Sequence, residues 1–99
     1  MGKKTKNSKI SDDPFCYLCW KLYGMINPGP LERHHCLHGN GRRDLAEADG
    51  LWVNLCPAHH RRLHDYNEHD RELQIIAQKT YEAEHGREAY FKRYGKFYD

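Results

Sequence analysis

Two metal-ligand spacings constrain this chain more than any other feature. Cys16-Tyr-Leu-Cys19 is answered later by Cys56-Pro-Ala-His59, the same spacing with histidine as the last ligand. Two thiolates three residues apart suit one tetrahedral zinc, and the second pair completes a closed Cys3His set. Cys16, Cys19, Cys56 and His59 are therefore expected to hold a structural Zn2+. A redox reading of the Cys-x-x-Cys is disfavoured, because nothing around it resembles the βαβ context of a thioredoxin. The need for such a staple follows from size. Ninety-nine residues, 38% of them hydrophobic, allow one domain with a small core. Cys36 is left over and reads as a small buried hydrophobe on a strand.

The histidines demand a second site. There are eight, and six lie between His34 and His64. Pro57 suits the first turn of a helix running to about Tyr66. On that helix His60 and His64 stand at i and i+4, on one face and about 6 Å apart, a chelating pair. His59 is one step away, about 100° around the helix, and points elsewhere. So His59 goes with Cys56, while His60 and His64 serve a different ion. The adjacent pair His34-His35 is a source for a third ligand. In a strand these two point to opposite faces, so if one binds metal the other is free. A free histidine suits a general base, since its ordinary pKa lies near neutrality. Three protein ligands leave positions for water and substrate, the mark of a catalytic metal site.

The rest of the chain reads as α+β. Residues 1–13 are expected to be a disordered basic tail, with Lys3, Lys4, Lys6 and Lys9 and few apolar residues. Residues 15–20, Phe-Cys-Tyr-Leu-Cys-Trp, are expected as a short strand or turn. A loop follows at 24–30, then a strand over 31–37, a connecting loop over 38–50 and a second strand over 51–55. A helix is expected from Asp70 as N-cap to Gly86, with Leu73, Ile76, Ala77 and Tyr81 on one face. A last helix, 87–94, stops at Gly95, and its Tyr90, Phe91 and Tyr94 are read as packing residues. No stretch approaches the roughly 20 apolar residues of a membrane span. The start carries no signal peptide, so a reducing cytoplasm is the expected compartment. Net charge is only +2, too balanced to argue nucleic-acid binding by itself.

Strand with His34-His35, loop, second strand, then a helix carrying His-x-x-x-His resembles the HNH, or ββα-metal (His-Me finger), endonucleases. The Cys-x-x-Cys … Cys-x-x-His frame resembles the zinc-stapled branch of that family. Glu32-Arg-His-His35, Gly50-Leu-Trp-Val-Asn-Leu-Cys-Pro-Ala-His-His60 and the closing Tyr90-Phe-Lys-Arg-Tyr-Gly-Lys-Phe-Tyr98 are similar to small prophage-encoded HNH proteins. The resemblance implies an HNH nuclease domain over 14–99, with a ββα-metal core at about 31–66 and C-terminal helices at about 70–95. It implies that His35 is the general base. His34, His60 and His64 would bind one catalytic divalent metal, whether Mn2+, Mg2+, Ni2+ or Zn2+. The reaction would be hydrolysis of DNA to 5′-phosphate and 3′-hydroxyl ends.

The chain departs from the family at one position. The asparagine that names the family falls at Leu51. Asn54 lies three residues too late, and Asn40 is far out in the loop. That asparagine braces the loop and so orients the base. Asn40 or the turn at Asp49-Gly50 is the expected substitute. Arg61, Arg62, Arg42 and Arg43 are the expected phosphate contacts, because guanidinium pairs well with phosphate. DNA is the expected partner. A homodimer, or phage packaging or recombination proteins, would be further partners. The alternative functions are a zinc-stabilised nucleic-acid-binding module and a phage-machine adaptor, both without catalysis.

Overall fold

A computed structural model describes residues 7–99. The chain runs α1 (Tyr17–Tyr23), β1 (Glu32–His35), α2 (Arg42–Asp49), β2 (Trp52–Leu55), α3 (Pro57–Tyr66), α4 (Asp70–His85) and α5 (Arg87–Tyr94). Among the described residues this is an α+β arrangement, one two-stranded antiparallel sheet with five helices. No helix is long and apolar enough to cross a membrane.

The sheet sets the geometry of everything that follows. His34 pairs with Val53 and His35 with Trp52. Alternation along β1 sends Glu32 and His34 toward α3, and Arg33 and His35 toward α2, as their contacts below record. Both faces of β2 are covered, so Trp52, Val53 and Leu55 are all buried. Leu51 joins them in a core with Leu18, Leu37, Leu63, Leu73, Ala77 and Tyr90.

The proline that opens α3 and the glycines that close α4 and α5 operate as expected. Pro57 opens α3, where its missing N–H costs nothing. Gly86 and Gly95 follow the last residues of α4 and α5. Leu73 and Ala77 are fully buried, with Ile76 and Tyr81 packed against the core. Tyr90 and Tyr94 are buried; Phe91 is half-exposed and stacks on Phe97. Asp70 is not the cap of α4. His69, with φ of 63°, takes that place, and Asp70 is the first helical residue. Its charge still suits the helix N-terminus.

Three expectations are corrected. The segment Phe15–Trp20 is neither strand nor turn, because α1 begins at Tyr17. The Cys16 sulfur accepts from the Cys19 N–H at 3.4 Å and so caps the helix. Second, residues 38–50 are not all loop: α2 occupies 42–49. Only Leu45 and Ala46 of α2 pack against the core, too few to register as an apolar face. Gly50, at φ of 72°, closes it, and the Leu51 N–H returns to the Ala46 carbonyl at 2.9 Å. Third, the part of the expected tail of 1–13 that the structure describes is not free. The tail's first six residues lie outside the described residues. From there on the chain is fastened to the end of α2 and the start of β2: the Lys9 N–H donates to the Gly50 carbonyl at 2.7 Å, and the Ser8 hydroxyl donates to the Trp52 carbonyl at 2.5 Å. A side chain at position 50 would meet the Asn7 carbonyl at 3.1 Å, a second reason for glycine there.

Candidate metal centres

Cys16, Cys19, Cys56 and His59 converge from the start of α1 and the junction of β2 with α3. Their ligand atoms lie within 4.8 Å of one another. The His59 Nδ1 is 3.5 Å from Cys16 Sγ, 3.5 Å from Cys19 Sγ and 3.4 Å from Cys56 Sγ. Cys19 and Cys56 sulfurs are 4.0 Å apart. One imidazole nitrogen cannot share a proton with three sulfurs at once, but it can share an ion with them. Zinc with bonds of about 2.3 Å to sulfur and about 2.0 Å to nitrogen sets tetrahedral S···N and S···S separations of roughly 3.5 and 3.8 Å. The four side chains can therefore bind a structural metal such as zinc.

Donors around the sulfurs prepare them for the charge that binding requires. Burial pushes Cys16 up, but backbone donors at Cys56 and Cys19 outweigh it and hold this thiol below its ordinary value. Burial and the neighbouring thiols push Cys19 up to about 11, opposed by a hydrogen bond from Asn27 Nδ2 at 3.6 Å. Several thiolates in so small a volume require a cation among them. His59 is shifted down, by burial first and then by Arg62 and His69, which favours the neutral ligand form. Cys36 lies outside this cluster, fully buried, and burial raises it so that it stays a thiol.

The second cluster is His34, His60 and His64, again with ligand atoms within 4.8 Å. β1 supplies the first and one face of α3 the other two. The Nε2 atoms of His60 and His64 are 3.0 Å apart. His60 Nδ1 donates to Glu32 Oε1 at 2.7 Å, so its Nε2 carries a lone pair when the ring is neutral. That is the carboxylate–histidine arrangement which orients metal ligands. The Nε2 of His34 is buried with no hydrogen-bond partner. A buried polar atom normally has one. A cation fits among these nitrogens: His60 and His64 can pair with each other, but only an ion shared with them would give the buried His34 Nε2 a partner.

Burial, then the neighbouring histidines His60, His38, His64 and His35, push His34 down to about 3. It is neutral at any physiological pH. An unfolded histidine would take up a proton as the pH falls below about 6.5, while folded His34 does not until about 3. Stability is therefore lost as the pH drops through that window. By pH 5 the loss from this one group should reach about 2 kcal/mol. Urea unfolding at pH 7 and pH 5, with no divalent ion added, should show a drop about 2 kcal/mol larger in the wild type than in His34→Gln. Equal drops in both proteins would reject the buried neutral histidine as its source.

His35 emerges on the other face of β1, and its Nε2 is 2.6 Å from Glu47 Oε1. His34, His35, His60 and His64 nonetheless line one cleft of about 210 Å3, together with Arg33, His38 and Arg43. At about 30 Å3 per water molecule the cleft has room for one phosphate group and a few waters. Of the four arginines expected at phosphate, only Arg43 lines this cleft. Arg61 lines an adjoining one with Glu32, His60 and His64. Arg62 is exposed on α3. Arg42 is turned to another use: its Nε donates to the Tyr94 carbonyl at 2.9 Å and ties α2 to α5.

Comparisons with protein-family models, curated proteins and solved structures find no match to this chain.

Four participants, Glu32, Arg33, Glu47 and His38, are absent from the sequence-based expectations. Glu32 was legible, since it stands two residues before His34 on the same strand face. Arg33, Glu47 and His38 were not. Arg33 and Glu47 meet only because α2 exists, and His38 reaches Asp70, at 3.2 Å, across 32 positions of sequence.

Proposed function

We propose that this protein is a metal-dependent DNA endonuclease of the ββα-metal, HNH type, hydrolysing phosphodiester bonds. One observation carries the reading: three imidazoles converge on one side of β1, a fourth stands free of them at the next residue, and all four line one arginine-edged cleft. Phosphodiester hydrolysis needs a base for water and positive charge for the phosphate, and this cleft holds candidates for both. His34, His60 and His64 would hold a divalent ion, which supplies charge neutralisation at the scissile phosphate and the leaving 3′ oxygen. Arg43 would bind a phosphate oxygen and Arg61 a neighbouring phosphate. His35 would take a proton from water as that water's oxygen bonds to phosphorus. The bond from phosphorus to the 3′ oxygen breaks and that oxygen takes a proton from a solvent water, leaving 5′-phosphate and 3′-hydroxyl ends. The ion's identity is a matter of supply, since three imidazoles accept zinc, nickel, cobalt or manganese, and magnesium would keep several waters. A second, closed ion at Cys16, Cys19, Cys56 and His59 would hold α1 against the β2–α3 junction.

Supercoiled plasmid tests this. Protein stripped of loosely held metal should nick it only when a divalent ion is restored. The double variant His60→Ala/His64→Ala should nick at least a hundredfold more slowly while keeping its tightly held zinc. Nicking that needs no added ion, or that survives the double variant, would remove the metal from the mechanism. If no ion supports nicking, a zinc-stabilised binding module becomes the better reading.

A further inference from the structure

We infer that Glu47 is the positioning residue for the base His35, in the place of the asparagine that the chain lacks. The inference rests on the nuclease reading above and adds a residue to it.

The geometry is a closed chain of contacts. Glu47 Oε1 lies 2.6 Å from His35 Nε2, and its Oε2 lies 2.7 Å from an Arg33 guanidinium nitrogen. Each carboxylate oxygen is engaged by a different partner, so the group cannot rotate without breaking a contact. Arg33 is itself held. Its guanidinium carbon sits 3.7 Å from the centre of the Trp52 ring, and Trp52 is the cross-strand partner of His35. Arginine is suited to this, since it stacks on an aromatic face and pairs with a carboxylate in one plane. All three side chains are largely shielded: 12% exposed for His35, 20% for Glu47 and 30% for Arg33.

The backbone beneath Glu47 is also fixed. Gly50 closes α2, Arg42 ties its start to Tyr94, and Asp49 near its end receives Arg93 and the Tyr94 hydroxyl. Glu47 lies one helical turn before Leu51, where the asparagine would stand. Leu51 is 1% exposed in the apolar core, so it can orient nothing. Neither Asn40 nor the Asp49-Gly50 turn is needed for the task.

The contact has a chemical consequence. A carboxylate only accepts, so His35 Nε2 must carry the hydrogen. The lone pair of the neutral ring is then on Nδ1, which is the nitrogen that would take the proton from water. A second carboxylate–histidine pair holds His60 on the metal side, so the two faces of β1 are oriented by the same device.

The experiment uses the full zinc-bound chain with 15N-labelled histidine at pH 8, and His35→Ala to assign the His35 signals. Two-bond proton–nitrogen spectra should show His35 as the Nε2–H tautomer in the wild type and as a mixture in Glu47→Ala. Plasmid nicking by Glu47→Ala should lose about 10- to 100-fold in kcat, with KM and Mn2+ affinity within twofold. Glu47→Asp should recover part of the loss. Should Glu47→Ala fold poorly, the isosteric Glu47→Gln carries the kinetic test, with a smaller fall in kcat expected. A wild-type His35 protonated on Nδ1 would overturn the inference. So would an active wild type matched within twofold by the Glu47 variants, and that result would leave the nuclease reading standing. A wild type that nicks with no ion would sink both.

Discussion

Replacing His35 with alanine is expected to slow plasmid nicking about a thousandfold while leaving metal affinity within twofold. A positioned general base contributes roughly 10²- to 10⁴-fold, and no other group in the cleft is placed to replace it. His34 points to the metal side, Glu47 is occupied by Arg33 and His35, and His38 is paired with Asp70 at 3.2 Å. Metal affinity should survive because the three imidazoles of the proposed site lie across the strand, with His60 steadied by Glu32 rather than by His35. His34→Ala should behave in the opposite way and lose the ion first. Parallel metal titrations and nicking rates on the two variants therefore separate the roles. If His35→Ala loses the ion and His34→Ala only the rate, the two neighbours have exchanged functions. If His35→Ala nicks like the wild type, it is not the base.

Cys56→Ser is expected to abolish the cooperative thermal transition. Cys56 is the residue through which β2, α3 and α1 meet, as the cap of α3 and a neighbour of both Cys19 and His59. Apparent binding energies of structural zinc are about 10–16 kcal/mol, as large as the roughly 5–15 kcal/mol stability of a whole domain. A chain with so small a core has no reserve against that loss. Prolonged chelation of the wild type should give the same result, reversed by zinc. Cys36→Ala is the control. Cys36 is equally buried but stands outside the cluster, so it should cost about 1–2 kcal/mol and keep one tightly held zinc per chain. A Cys56→Ser protein that still melts cooperatively with its zinc bound would show that the cluster does not support the fold.

How legible the molecule was depended on how local each signal is. α3 could be read because Pro57 starts it and its histidines recur at four-residue spacing, both properties of ten consecutive residues. α4 and α5 could be read from their closing glycines and, for α4, from one apolar face. α1 could not, because Phe15–Trp20 has the aromatic content of a strand, and its helix is capped by a sulfur rather than by a hydroxyl or carboxylate. α2 could not, because it buries almost nothing and sits between turn-forming glycines.

The sequence by itself determined the two candidate ligand sets. Their spacing separates Cys56 and His59 from His60 and His64 on any helix, because 100° per residue is a property of the backbone and not of the fold. It also determined that His34 and His35 must part, since neighbours on a strand face opposite ways. Which of the two enters the three-histidine cluster was left to tertiary structure. Pairing His34 with Val53 turns it toward α3 and buries it, and the next residue is thereby delivered to α2. The identity of what waits there, Glu47 braced by Arg33 over Trp52, was likewise decided only by packing. Contacts between residues 12 or more positions apart depend on where whole elements settle, and no local pattern encodes that.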